Sequence, residues 1–208
     1  MDVAIIGTGN MANGIGTRLV AGNHTVTIYH NSAEKAKQLA EKLGGSTKGE
    51  KLGEEVNGDI VILALPYNTI FDVIEKYKNQ LQGKVLIDIS NPIDFQINKL
   101  IPPPNSSGTE EIAKKLPQDT KLVKAFNTTF AGTLVKGEVD GKQLDVFIAS
   151  DNEEAKKLVS ELVKTSGMRV LDAGPLANAR ALEGLGYLHI TMQEKLGNTW
   201  MTAIKILP

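Results

Sequence analysis

Ile60-Val61-Ile62-Leu63-Ala64-Leu65 is an unbroken apolar run rich in β-branched residues, and it narrows the fold more than any other stretch of this chain. A strand with one wet face alternates polar and apolar side chains, so a run without alternation must be covered on both sides. Helices packed on either face of a parallel sheet supply such cover. The same rhythm recurs elsewhere. Residues 3–6, 25–29, 85–89, 122–124, 144–149 and 170–171 read as further strands, and 11–21, 33–43, 67–80, 110–116 and 153–166 carry helical periodicity. Strand and helix in alternation predict an α/β, doubly wound, mainly parallel sheet with C-terminal helices.

The first strand runs into Gly7-Thr8-Gly9-Asn10-Met11-Ala12, which matches G-x-G-x-x-[G/A] at a strand–helix junction. Gly7 permits the tight turn, Gly9 lets bare backbone touch a pyrophosphate, and Ala12 keeps the helix close to the strand. The unpaired N–H groups and the positive dipole end of that helix then face the phosphates. A tight turn alone would explain two glycines, but the placement at the first junction of a βαβ chain favours a dinucleotide. We therefore expect one Rossmann-type NAD(P)-binding domain over residues 1–208, with a helical C-terminal segment over 173–208.

The second strand selects the dinucleotide. An enzyme for NAD places Asp or Glu at its end, on the ribose 2′-hydroxyl, whereas Tyr29-His30-Asn31-Ser32 has no carboxylate. His30, Asn31 and Ser32, with Lys35 one helical turn on, suit a 2′-phosphate. The expected cofactor is NADP, with NAD still open. Asn31 or Ser32 also reads as a helix cap, and Lys35 as a solvated charge.

Composition excludes several classes. Twenty-three Lys and Arg against twenty-four Asp and Glu give a net charge of −1, far from the basic field of a nucleic-acid binder. There is no cysteine, and His24, His30 and His189 are scattered, so no metal site is expected. No basic leader precedes the first strand, and no apolar stretch approaches about 18 residues. The expectation is a cytoplasmic protein that neither enters a membrane nor binds nucleic acid.

Four separated blocks add a resemblance. Gly7-Thr8-Gly9-Asn10-Met11, Asp88-Ile89-Ser90-Asn91-Pro92, Val123-Lys124-Ala125-Phe126-Asn127-Thr128 and the run from Gly174 to Glu183 are similar to those of the F420-dependent NADP oxidoreductases. The fold of that family recurs in the cytosolic domain of STEAP-type metalloreductases. The resemblance implies a coenzyme along the carboxyl edge of the sheet, its nicotinamide end at Asn91-Pro92 and Ala125-Phe126-Asn127, with Leu65-Pro66-Tyr67 nearer its middle. Beside this stand plainer readings: Asn91-Pro92 as a turn, Phe126 as core, Asn127 as a helix cap. Many members carry Ser-Arg where this chain has His30-Asn31, so a guanidinium clamp on the 2′-phosphate is missing. A protonated His30 would partly replace it.

No Tyr is followed four residues later by Lys, and His189 lies between Leu and Ile, which reads as packing. No catalytic acid or base is assigned. Hydride transfer from nicotinamide to a flavin-like, deazaflavin or quinone-like ring needs chiefly close parallel placement of the two rings, so a small planar molecule is the expected hydride acceptor. A pyrroline-5-carboxylate reductase-like imine reductase shares the glycine loop but has a larger helical domain, as do the β-hydroxyacid dehydrogenases. A dinucleotide-binding sensor or electron-transfer module without turnover is the alternative of another class. The proline-containing loop over 93–107 would suit a lid, and Ser107-Gly108-Thr109-Glu110 has capping-box spacing. Leu176, Leu182, Leu185, Leu188 and Met192 would either complete the monomer's core or pair two copies in a homodimer.

Overall fold

The apolar runs do what their composition demands: in strand β4 (Ile60–Leu63) every residue is fully buried. The computed structural model describes residues 1–53 and 55–207. In chain order the elements up to the middle are β1 (Asp2–Ile6), α1 (Asn10–Ala21), β2 (Thr25–His30), α2 (Ala33–Leu43), β3 (Lys48–Lys51), β4, α3 (Tyr67–Leu81) and β5 (Val85–Asp88). A hairpin of β6 (Ile93–Asp94) and β7 (Lys99–Leu100), then α4 (Gly108–Ala113) and β8 (Lys121–Lys124), follow. The remainder comprises α5 (Ala131–Lys136), the hairpin β9 (Glu138–Val139) and β10 (Lys142–Gln143), β11 (Asp145–Ile148), α6 (Glu153–Thr165), β12 (Arg169–Asp172), a 3-10 turn over Leu176–Asn178, and α7 (Ala179–Thr191).

Six strands form one sheet in the order β3-β2-β1-β4-β5-β8, with every neighbouring pair parallel. The chain winds outward from β1 to β3, then returns to the other side of β1 with β4. That reversal opens a crevice beyond the carboxyl ends of β1 and β4, where ligands of open α/β sheets sit. Each face has its own core. Ile15, Leu19, Leu39, Leu134, Val159 and Leu162 cover one; Ile70, Ile74, Leu81 and Ile112 cover the other. Each such side chain contributes roughly 1.5–3 kcal/mol by leaving water.

Several elements differ from the sequence expectation. Strand β3, Lys-Gly-Glu-Lys, pairs at the sheet edge, where charge deters further pairing and hides the strand from an apolar search. Strands β11 and β12 pair with each other rather than extending the sheet, joined to β8 only through Lys124 and Ala149. Helix α5 was not anticipated. The 93–107 segment is in part the β6–β7 hairpin, pinned where the Tyr187 hydroxyl donates to the carbonyl of Asn98 at 2.7 Å. After Pro175 helix extends only through Thr191, and residues 199–207 form neither helix nor strand.

That last segment is strapped down. Asp145 accepts from Arg169 Nε at 2.8 Å, Lys205 Nζ at 2.6 Å and Ile206 N at 3.0 Å, while His189 Nε2 and the Thr202 hydroxyl meet at 2.8 Å. Burial works against ionisation of Asp145, but the bonds from Arg169, Lys205 and Ile206 override it and hold the carboxyl at about 2. A depressed carboxylate stabilises above its unfolded pKa and loses that contribution as pH falls through the folded one, here between about pH 4 and pH 2. Asp145→Asn should remove about 2 kcal/mol at neutral pH and flatten the acid limb of the stability curve between those values. Urea titrations of both proteins across that range check it; parallel acid limbs would refute the anchor.

Candidate functional site

The β1–α1 turn separates the jobs of its two glycines. Gly7 has φ +125, and a Cβ there would lie 2.2 Å from the carbonyl oxygen of Ala64. It is the fold that excludes a side chain at Gly7, because the chain leaving the parallel neighbour β4 passes against it at Ala64. Gly9 is different: its φ is −76, and beyond its two chain neighbours no protein atom lies within 4 Å of the Cβ it lacks. Nothing inside the protein forbids a side chain at Gly9, which leaves room for a ligand against the backbone.

Like α3, α5 and α7, the helix that begins there starts with neither a capping side chain nor an acid in its first turn. Ser32, Ser107 and Asn152 cap α2, α4 and α6 with side-chain oxygens, each followed by acid in the first turn. Helices α1 and α3, the latter starting after Pro66, both open onto one cavity of about 740 Å³, lined near those ends by Gly9, Asn10, Met11, Leu65 and Pro66. Uncapped N–H groups and an unneutralised dipole favour an anion.

Gly9, Asn10 and Asn13 also border a smaller hollow of about 410 Å³ with Thr8, Lys35 and Lys42. The two spaces adjoin across the α1 N-terminus, one with a cationic edge and one largely apolar, as an elongated dinucleotide requires. Lys42 joins Lys35 because the two lie two helical turns apart on one face of α2; the sequence reading stopped at Lys35. His30, Asn31 and Ser32 sit at the end of β2 beside this hollow without lining it. Ser32 is the cap of α2, and its own N–H donates to His30 Nδ1 at 2.9 Å. His30 Nδ1 is thereby engaged in the turn that leads into α2.

At the far end of the large cavity lie Ser90, Asn91 and Asn127. Asn91 Nδ2 donates to the carbonyl of Asn127 at 2.7 Å, and Asn127 Nδ2 donates to Asn91 Oδ1 at 2.9 Å and to the carbonyl of Leu182 at 2.8 Å. Gly186 of α7 makes room for this pair, since a Cβ there would stand 2.5 Å from Asn91 Oδ1. Asn127 is therefore no helix cap; α5 begins after Phe130. Both hydrogens of its amide are committed, leaving Asn127 Oδ1 buried without a partner, as is Ser90 Oγ.

Other expected contacts are not brought to the cavity. Ala125 and Phe126 are 0 % exposed, and Phe126, at φ +61, packs into the core while its backbone turns the chain toward Asn127. Pro92 is buried near Gly108. Tyr67 packs edge-on to Phe71 with centroids 5.2 Å apart. What the sequence reading missed is the apolar half of the cavity: Ile89, Phe95, Phe130, Val135, Ile190 and Trp200. Ile89 follows β5 directly; the others come from the hairpin, the start and body of α5, α7 and the strapped tail, away from the glycine-loop motif. His189 stacks on Phe130 at 4.2 Å and is 7 % exposed, a packing role that burial reinforces by lowering its pKa.

Behind Ser90 the structure gathers charges far apart in sequence. Lys124 Nζ lies 2.9 Å from Asp88 Oδ2 and 3.1 Å from Glu183 Oε1, and also donates to the carbonyl of Ser90. Asp88 Oδ1 accepts the Ser90 N–H at 2.9 Å. The N–H groups of Gly108 and Thr109 donate to Glu183, and the Thr109 hydroxyl lies 2.7 Å from Asp88 Oδ2 and 3.1 Å from Glu183 Oε1. Burial works against ionisation of Asp88, but the Lys124 ammonium and these donors keep its carboxyl below the usual range.

The model for NADP oxidoreductases that depend on coenzyme F420 matches residues 2–92. The F420-dependent NADP reductase of Methanothermobacter marburgensis is 33% identical over 94% of this chain and 93% of its own length. The metalloreductase STEAP3 of Rattus norvegicus is 33% identical over 88% of this chain but only 36% of its own. The crystal structure of a putative F420-dependent NADP-reductase from Arthrobacter superposes with a TM-score of 0.84 at 27% identity, covering 99% of both chains. Among the described residues no helix is long and apolar enough to cross a membrane.

Proposed function

Since this chain belongs to the family of F420-dependent NADP oxidoreductases and is an NADP(H)-dependent oxidoreductase, we propose that it moves hydride between NADP(H) and a deazaflavin of the F420 type within the large cavity. The reading extends to each part of the cleft. Gly9, Asn10 and Met11 hold the pyrophosphate against the bare start of α1. Lys35 and Lys42 take the adenosine 2′-phosphate end. Phe95, Phe130 and Trp200 give the second ring an apolar seat.

The observation that carries the reading is the unpartnered pair at the inner end, Asn127 Oδ1 and Ser90 Oγ. An amide oxygen with its hydrogens committed can only accept, and a serine hydroxyl can donate. A primary carboxamide offers the complement: an NH₂ and a carbonyl oxygen. Buried polar atoms without partners are costly, so a site with two of them suits a ligand that satisfies both. The nicotinamide carboxamide does. When bound, NADP(H) supplies the hydride chemistry. The chain's own part is to orient: the Asn91–Asn127 pair fixes the accepting oxygen, Lys124 and Asp88 fix the Ser90 backbone, and the apolar lining excludes water.

Asn127→Ala and Ser90→Ala should each lower kcat/KM for NADPH oxidation with F420 by about ten- to a hundredfold, the worth of a buried hydrogen bond. Wild-type kinetics in both variants would remove the nicotinamide from this end.

A further inference from the structure

The Asp88–Lys124–Glu183 cluster is more than a staple between β5, β8 and α7. Its side chains are 0–2 % exposed. Both Glu183 oxygens receive N–H or ammonium donors, the pattern of an ionised carboxylate. Asp88 likewise faces an ammonium and an N–H. Two carboxylates against one ammonium leave a desolvated net charge of one negative, directly behind Ser90, a residue of the cavity wall. Tyr67 registers the same field: burial first, then Glu183, Glu111 and Asp88, push its phenol up to about 12. The nearby Arg180 does not cancel the excess, since it is paired with Glu110 at 2.6 Å.

We propose that this buried anionic cluster favours the oxidised, cationic nicotinamide over the reduced, neutral one, so that the protein binds NADP⁺ preferentially and makes bound NADPH a stronger hydride donor. The proposal rests on the placement of the nicotinamide against Ser90 and Asn127. Loss of hydride turns a neutral ring into a cation, and a fixed negative charge in a low-dielectric setting stabilises the cation selectively. No proton or bond is exchanged with the cluster; its role is positioning and field.

The test is the ratio of dissociation constants for NADP⁺ and NADPH, measured by calorimetry without any acceptor. Glu183→Gln neutralises the cluster at nearly constant shape and should weaken NADP⁺ relative to NADPH by about tenfold. Lys124→Met raises the cluster's negative charge and should move the ratio the other way; it also serves if Glu183→Gln fails to fold. Thr109→Val removes a hydroxyl from the cluster without changing its charge, so the ratio should stay put. An unchanged ratio in both charge variants overturns the proposal, as does a Thr109→Val shift as large as that of Glu183→Gln. If Ser90→Ala and Asn127→Ala weaken neither nucleotide, the nicotinamide placement itself has failed. If they do and the ratio is insensitive to charge, only the electrostatic role has.

Discussion

Gly9→Val should abolish detectable NADPH binding and leave the protein folded. The extended backbone at Gly9, φ −76 and ψ −176, is one that valine adopts readily, and the new side chain meets no protein atom near its Cβ. The thermodynamic cost to the fold is that of a poorer helix N-cap, about 1 kcal/mol. The cost to the ligand is far larger, since the branched side chain stands where phosphate oxygens must reach the first N–H groups of α1. A loss of at least a hundredfold in affinity is expected, because charge-assisted hydrogen bonds are each worth about 1.5–3 kcal/mol. Thermal melting with and without NADPH separates the two effects. A variant that still gains stability from NADPH would show that the phosphates lie elsewhere.

Two residues earlier the outcome inverts. Gly7→Ala adds a single methyl group, yet it should cost on the order of 4 kcal/mol and lower the melting temperature by about 10 °C. The reasons compound. The φ of +125 is one that L side chains rarely adopt, and the Cβ would sit 2.2 Å from a backbone carbonyl of the neighbouring strand, which no rotamer can relieve. Residual NADPH affinity in whatever fraction folds should be closer to wild type than in Gly9→Val. A melting temperature unchanged by Gly7→Ala would mean that β1 and β4 do not approach as closely as the structure has them.

The contrast shows what sequence can and cannot convey. The G-x-G spacing located the junction, and apolar runs with helical intervals located most of the sheet. Both are local signals. Strand β3 was invisible because an edge strand of Lys, Gly and Glu has no apolar signature, and α5 because six residues are too few to establish a period. The tail was misread as helix since Trp200, Met201, Ile204 and Leu207 recur at helix-like spacing, while in the structure that stretch is anchored to Asp145 instead. At the site, Asn91 and Asn127 were found, but the orphaned oxygen that makes Asn127 informative depends on where Asn91 and Leu182 place its amide hydrogens. Ala125 and Phe126 entered with the block that resembles the family, whereas the backbone turn at Phe126 leaves both in the core and brings only Asn127 to the cavity wall. Asp88, Lys124 and Glu183 stood in the matching blocks as three unremarkable charges; only folding brings them within ion-pair distance.

Trp200 is the chain's single tryptophan. It borders the large cavity and meets Phe130 edge-on at 5.1 Å. Every photon excited at the red edge of the protein's absorption therefore comes from a fluorophore at the mouth of the cleft, and the molecule carries its own optical gauge of occupancy. Stopped-flow emission could time the arrival of the second ring separately from that of the nucleotide, with no label attached.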